Sequence, residues 1–342
     1  MGRVRYALSH TARVAWFAGH YLAARGVAGP LRGEGETPVK PSAPWPKTAD
    51  ILREIRALFD RDWENIKAGL YAPPDDVLSI GGARTSPRFL RDAKAVAARR
   101  RSRGHDEVLS EERMQNYPRY YLQNFHFQTG GWLTQESARL YDFQVETLFT
   151  GTADTMRRQA LAPLARALKG RDQRKVRLID IACGTGRFLK EIKRNWPLLD
   201  VTALDLSPDY LEAAGRNLAG WRAVTLKKGA AEEMPFEDGA FDIATSVYLF
   251  HELPPKVRRV AVREIARVLK PGGTFILVDS IQSGDNPRLE ALIEAFPVIF
   301  HEPYYGSYAG EDLDALFAEA GLRRTETQIA YLTKVATFMK AE

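Results

Sequence analysis

A doubly wound α/β domain is the fold this 342-residue sequence predicts. Its sheet is seven-stranded and mainly parallel, with an antiparallel C-terminal hairpin and a helical N-terminal extension. Three observations predict it. From Arg174 onward, short apolar strand-like runs alternate with helical runs, the pattern of a parallel sheet with helical crossovers. The first strand breaks into Asp180-Ile-Ala-Cys-Gly-Thr-Gly186 and then a helical segment, Arg187 to Asn195, which is how an α/β sheet builds a ligand cradle. Asp205 closes the next strand 21 positions beyond Gly184, about the ~20-residue spacing of a carboxylate that binds ribose hydroxyls.

Taken in order, residues 4–25 form an amphipathic helix carrying Val4, Leu8, Val14, Trp16, Phe17, Tyr21 and Leu22 among arginines. Basic plus aromatic is the composition of a helix lying at a membrane surface, and the same stripe also suits docking on the domain's own core. Thr37 to Pro46 is proline-dense and reads as an extended linker. Residues 48–70 return to helical periodicity through Ile51, Ile55, Leu58, Phe59, Trp63 and Ile66, until Pro73-Pro74-Asp75-Asp76 breaks it. A basic helix follows from Pro87 to Arg103. Its arginine run, Arg99 to Arg103, has no interleaved aromatics, so a solvated helix end is expected rather than a nucleic-acid site. Residues 116–132 are dense in aromatics and amides, suiting either a lid around a ligand or ordinary packing, and helices follow over 137–150 and 153–168.

The strands are then Val176–Ala182, Val201–Leu204, Ala223–Lys227, Phe241–Val247 and Thr274–Ser280. The helix Pro254 to Leu269 stops at Lys270-Pro-Gly-Gly273, which turns the chain into the fifth strand. The last two runs, Arg323–Ile329 and Tyr331–Phe338, are too close for a helical crossover and should pair antiparallel. Three regions result: a basic, mostly helical extension over 1–115, a helical cap over 116–170 and a cofactor-binding domain over 171–342.

Bulk properties narrow the function. The chain is 45% hydrophobic, enough for a sizeable core, and its net charge is +6. Residues 1–109 hold 19 Lys/Arg and 12 Asp/Glu, so the positive excess belongs to the N-terminal third, where it suits a solvated face or an anionic partner. One cysteine, Cys183, rules out an internal disulfide framework, and a reducing, cytoplasmic setting is the default. No apolar run reaches the ~18 residues of a membrane span. His10, Arg13, His20 and Arg25 interrupt the N-terminal apolar stretches, so a secretory signal is not expected. Tyr6 breaks the myristoylation pattern.

Four pieces carry a family resemblance: Leu178-Ile-Asp-Ile-Ala-Cys-Gly-Thr-Gly-Arg-Phe188, Ala203-Leu-Asp-Leu-Ser-Pro-Asp209, Glu232-Glu-Met-Pro-Phe-Glu-Asp-Gly-Ala-Phe-Asp-Ile243 and Glu264-Ile-Ala-Arg-Val-Leu-Lys-Pro-Gly-Gly273. Together they resemble the class I S-adenosylmethionine-dependent methyltransferases, within them the ubiquinone/menaquinone-methyltransferase-like group, and so a Rossmann-like methyltransferase fold. The dinucleotide fingerprint needs a third glycine where Leu189 stands, which sets that reading aside. The resemblance implies S-adenosyl-L-methionine as cofactor, S-adenosyl-L-homocysteine as product, and a set of cofactor contacts. Ala182, Gly184, Thr185 and Gly186 would pass under its methionine end, with Asp180 near the amino group. Asp205 would accept from the ribose, Leu206 would flank the adenine, and Ala231 and Glu232 would meet its edge. Ser246, Val247 and Tyr248 would line the side of methyl transfer. Ala230 departs from the family, which commonly has an aspartate there for the adenine amino group. Cys183 reads as a small buried residue.

A base is needed only where the acceptor must lose a proton. The catalytic candidates are His251, in Leu249-Phe-His-Glu-Leu253 after the fourth strand, and His301 and Tyr305, in an insertion before the hairpin, with His126 behind them. His251 equally suits a helix-start contact that moves no proton. The sequence shows no metal-ligand spacing, so no metal and no catechol-type O-methylation are expected. The nucleobase signature Asp/Asn-Pro-Pro-Tyr is replaced by Ser246-Val-Tyr-Leu249. A small organic acceptor, apolar or lipid-like, is the expectation, with peripheral membrane contact through residues 4–25. The alternatives are a catalytically silent methyltransferase-fold protein acting through the basic extension, and an RNA methyltransferase using Arg99–Arg103.

Overall fold

A computed structural model describes residues 2–28, 39–75 and 81–342. Thr37, Pro38 and Asp76, named in the linker and breaker above, lie outside the described residues. The N-terminal helices are α1 (Arg3–Ala28), α2 (Thr48–Lys67), α3 (Gly81–Ser102) and the single turn α4 (Glu111–Met114). α5 (Gln135–Leu148), α6 (Ala153–Arg158) and α7 (Leu161–Leu168) lead into the sheet. Within the domain run β1 (Arg177–Ile181), α8 (Arg187–Asn195), β2 (Asp200–Asp205), α9 (Pro208–Leu218), β3 (Val224–Lys228) and β4 (Phe241–Val247). The remainder is α10 (Pro255–Val268), β5 (Leu269–Ser280), α11 (Glu290–Ile299), α12 (Tyr305–Ala309), α13 (Leu313–Ala318), β6 (Leu322–Ala330) and β7 (Thr333–Lys340).

Among the described residues the sheet has seven strands in the order β3-β2-β1-β4-β5-β7-β6. β1 to β5 run parallel and β7 pairs antiparallel with both β5 and β6, as the run spacing predicts. The central strands are apolar on both faces because helices cover both. Leu178 packs with Val201, Ala203 and Ile276 on one side, and Ile179 and Ile181 pack with Phe241, Phe275 and Phe338 on the other. The edges are polar: Lys227 and Lys228 on β3 and Arg323, Arg324 and Glu326 on β6 are exposed, which blunts strand addition.

Several boundaries shift by a residue or two, α3 begins at Gly81 instead of Pro87, and two further differences concern turns. β5 begins at Leu269, before the Pro-Gly-Gly turn, because Leu269 pairs with Phe241 while the next paired residue is Thr274, opposite Ile243. The turn therefore bulges out of a continuous ladder. The hairpin turn is Tyr331-Leu332, not the residues before Tyr331: Ala330 pairs with Thr333, and Tyr331 takes φ +60°. With no glycine there, the sequence carried no turn signal.

The extension is tied to α6 by a buried ionic centre. Asp62 on α2 is fully buried. It accepts from the Tyr6 hydroxyl at 2.6 Å, the Tyr71 hydroxyl at 2.9 Å and Arg158 Nη2 on α6 at 2.7 Å. The apolar stripe on α1 divides in consequence. Phe17 is buried with Tyr6, His10 and Arg13, whereas Val4, Leu8 and Leu22 stay more than 60% exposed. The arginine run makes contacts within the chain, although Arg101 and Arg103 remain exposed. Arg99 pairs with Glu107 at 2.7 Å, Arg100 lies 5.0 Å over the Phe300 ring, and Arg101 and Arg103 donate to the Ala28 and Val298 carbonyls.

Candidate active site

The carboxyl ends of β1, β2 and β4 open into a cleft. Glycine makes its floor possible. Gly184 has φ +56°, and a Cβ added there would meet nothing within 4 Å, so the space above it is free for a ligand. Gly186 has φ +72° and sits where a Cβ would come within 3.1 Å of Ala214 and Leu218 on α9, so it lets that helix close on the turn.

Asp205 ends β2 and is 8% exposed. Its two oxygens accept from the backbone N–H of Gly184 and of Ser207, both at 2.8 Å, so the carboxylate also braces the glycine turn. Burial pushes its carboxyl up to about 6. Asp180, deeper on β1, accepts from the Thr245 hydroxyl at 2.6 Å, and burial pushes it to about 7. Ala182, Gly184, Asp205, Leu206, Ala231, Glu232 and Val247 all line the cleft. A recess of about 360 Å³ continues past Gly184 to Asp180 and Thr185, bordered by Arg157 and Arg187. Gly186, packed on α9, lines neither cavity, and Ser246 is the other exception. It is fully buried and lines none of these cavities, because alternation on β4 turns Thr245 and Val247 toward the cleft side and Ser246 away.

Glu232 carries a further sign of a missing partner. One oxygen accepts from the Tyr120 hydroxyl at 2.6 Å, and the other is buried without a hydrogen bond. An unpaired carboxylate oxygen in a cleft is ready for a donor such as an adenine amino group. Aromatics from the 116–141 segment cover this cleft: Tyr120, Tyr121, Phe125, Trp132 and Tyr141 face it beside Tyr210 of α9. Tyr210 is fixed by Ser137 at 2.8 Å and Gln128 at 3.0 Å.

A second chamber adjoins the first, with Tyr141, Tyr248 and Glu252 shared by both. Its wall is apolar through Val145, Phe149, Ile293, Phe296 and Leu332. At its polar end stand His251 and Tyr305, their rings 5.8 Å apart. His251 Nδ1 lies 2.6 Å from Asp279 Oδ1. Asp279 is fully buried and also accepts from the Phe250 and Ser280 N–H groups, so it is held rigid and holds His251 in turn. The carboxylate outweighs the cost of burial and raises His251 to about 9. Tyr305 bonds Ser280 at 2.7 Å.

The structure does not bring His301 here. Its Nε2 bonds Gln123 at 2.9 Å, its ring packs on His105, and it lines neither chamber. His126 does line the second chamber, in a left-handed backbone conformation with φ +53°. The fold also gathers His126, Glu252 and Glu302, from three distant segments, so that one ligand atom of each lies within 4.8 Å of the others. Asp279 had one signal in the sequence: a charge inside the apolar run Phe275-Ile-Leu-Val-Asp279, where an acid is buried only with partners. Glu252 and Glu302 had none, since their meeting depends on how the insertion before the hairpin folds back.

Residues 178–273 match the family model of the methyltransferase domain. The chain carries a class I S-adenosylmethionine-dependent methyltransferase domain. A demethylmenaquinone methyltransferase of Staphylococcus aureus is 35% identical over 137 residues, 40% of this chain and 54% of that protein. The chain thus spans about half the length of the curated relatives it matches. Among solved structures, the YcgJ protein of Bacillus subtilis is 20% identical, covering 54% of this chain and 99% of its own, with a TM-score of 0.42. A SAM-dependent methyltransferase of Aquifex aeolicus is 18% identical, covering 48% of this chain and 81% of its own, with a TM-score of 0.37. S-adenosylmethionine is the cofactor of the methyltransferase domain. The open space above Gly184 and the unpaired oxygen of Glu232 both fit it.

Proposed function

We propose that this chain transfers the methyl group of S-adenosylmethionine to an apolar, quinol-type aromatic acceptor. One observation carries the reading: the His251–Asp279 pair opens into an apolar chamber that meets the cofactor cleft at Tyr141, Tyr248 and Glu252. The relative named for demethylmenaquinone gives the acceptor class its support.

The cofactor supplies a methyl group already activated on its sulfonium, so the protein mainly positions and desolvates. Asp205 would hold the ribose hydroxyls, Glu232 Oε2 the adenine amino group, and the recess around Asp180 and Thr185 the methionine end. A quinol ring attacks through carbon or oxygen more readily once a hydroxyl has lost its proton. His251 would take that proton, with Asp279 holding the ring's other nitrogen and stabilising the imidazolium that forms. The paired carboxylate raises His251 to about 9, so the neutral imidazole that accepts the proton becomes more populated as the pH rises toward that value, and turnover should rise with it. Tyr305 would orient the acceptor oxygen. The aromatic segment over 116–141 would act as a cap that excludes water. An apolar acceptor also gives a use to Val4, Leu8 and Leu22, exposed on the basic helix α1, as a peripheral contact with a lipid surface. No helix among the described residues is long and apolar enough to cross a membrane.

The test is S-adenosylhomocysteine release with reduced, ring-unsubstituted naphthoquinols and benzoquinols, the product identified by mass. Cofactor binding without release on any quinol would overturn the acceptor assignment. A chain that binds no S-adenosylmethionine by calorimetry would overturn the enzyme reading altogether.

A further inference from the structure

We infer that His126, Glu252 and Glu302 form a divalent-cation site at the junction of the two chambers. The inference builds on the proposed acceptor site, but its evidence is independent of the acceptor. The three side chains come from the 3₁₀ turn Phe125–Phe127, the turn after β4 and the loop before α12, and their ligand atoms converge within 4.8 Å. Glu302 is 2% exposed, and neither of its carboxylate oxygens has a hydrogen-bond partner. A buried carboxylate without a donor is costly, and such groups are normally paired or coordinate a metal. His126 Nε2 lies 3.1 Å from Glu302 Oε1, yet that oxygen receives no hydrogen bond. Two donors at right angles on one ion, each at ~2.1 Å, stand about 3 Å apart. The separation is that of two ligands waiting for a shared ion.

The donor set points the same way. Glu252 and Glu302 converge with His126, while Asp279 nearby is already engaged by His251. One imidazole and two carboxylates suit a borderline divalent cation such as Zn²⁺ or Mn²⁺. Glu252 borders both chambers, so an ion held there would face the acceptor and leave coordination positions open toward it. An acceptor hydroxyl placed against the ion would ionise more readily.

The test is binding of Zn²⁺ and of Mn²⁺ alone to the full chain, by calorimetry and by Mn²⁺ electron paramagnetic resonance, with no cofactor or acceptor present. Saturable one-to-one binding is expected, together with a metal-dependent rise in melting temperature. Glu302→Gln keeps the shape and should weaken binding by at least about tenfold while S-adenosylmethionine affinity stays unchanged. His126→Asn, whose new residue tolerates the left-handed backbone, should do the same and decides the matter if the first variant does not fold. Wild-type protein that binds neither ion at millimolar concentration would overturn the site, as would unchanged affinity in the folded variants. Metal binding without methyl transfer to any quinol would leave the cation site standing and remove only the acceptor assignment.

Discussion

Asp205→Asn separates cofactor recognition from folding more sharply than any deletion. Both Asp205 oxygens accept a backbone N–H at 2.8 Å, from Gly184 and from Ser207. An asparagine of the same shape offers one acceptor, so its amide must face one of those N–H groups, donor against donor. That mismatch costs about 1–3 kcal/mol. It is offset in the empty chain, because burial lifts the Asp205 carboxyl from 3.8 to about 6, a penalty of about 3 kcal/mol on the charged form that the neutral amide escapes. Melting temperature should therefore change little. The cofactor has no such compensation. Ribose hydroxyls lose a charged acceptor worth about 1.5–3 kcal/mol, a factor of roughly 10 to 150 in Kd. Calorimetric titration with S-adenosylmethionine and a parallel thermal melt read the two effects separately. The wild-type affinity should also fall as the pH drops through about 6 and the carboxyl takes up its proton, whereas the variant's should be flat there. An asparagine variant that binds within twofold of wild type, or keeps the same pH dependence, would refute the placement of Asp205 on the ribose.

Asp279→Asn should lower turnover on a working acceptor by about 10²–10⁴-fold with little change in cofactor affinity, since an amide cannot stabilise the His251 imidazolium; equal rates would exclude the dyad. Asp62→Ala removes the acceptor shared by Tyr6, Tyr71 and Arg158 and leaves a buried guanidinium, so a loss of about 3–5 kcal/mol is expected in denaturant melts, and an unchanged midpoint would show that the centre contributes nothing. His10, 2% exposed, donates from Nδ1 to the Tyr6 carbonyl and faces Arg158 through Nε2, and burial with that charge lowers it to about 4. Its folded value lies below its unfolded one, so the stability it confers is complete above pH 6.5 and is lost toward pH 4, at about 1.4 kcal/mol per pH unit. Asp180 and Asp205, raised by burial, act in the opposite sense. The readout is thus the difference between wild type and His10→Phe, whose melting temperature should fall less on acidification; identical slopes would count against docking of α1 through a neutral histidine. Val4→Glu with Leu8→Glu should reduce co-sedimentation with anionic vesicles, and equal pelleting would assign that exposed stripe no membrane role.

Much of the domain was legible because its signals are local. Strand–helix alternation, the glycine turn and a carboxylate 21 positions later need only backbone conformation and strand order to acquire meaning, and Phe241–Val247 matched to the residue. The N-terminal half was legible as helices but not as contacts. Periodicity marked Phe17 and Leu8 alike, and only docking of α1 against Phe89, Leu140 and Phe143 buried one and left the other exposed. Ser246 failed by parity: a strand residue can sit at the right depth and point the wrong way.

The sequence by itself determined the sheet and its glycine turn, and its four motifs pointed to the cofactor through their family resemblance, because Gly184, Gly186 and Asp205 lie within one strand–turn–helix unit and the next strand. Tertiary structure alone decided the acceptor side. It removed His301 to Gln123 and His105, joined His251 to Asp279 across 28 residues, and brought His126, Glu252 and Glu302 to one point. These partners lie far apart along the chain on loops whose paths depend on the packing of α11, α12 and the aromatic segment. No periodicity encodes such a meeting, and only the closed core sets the distances that give these groups their chemistry.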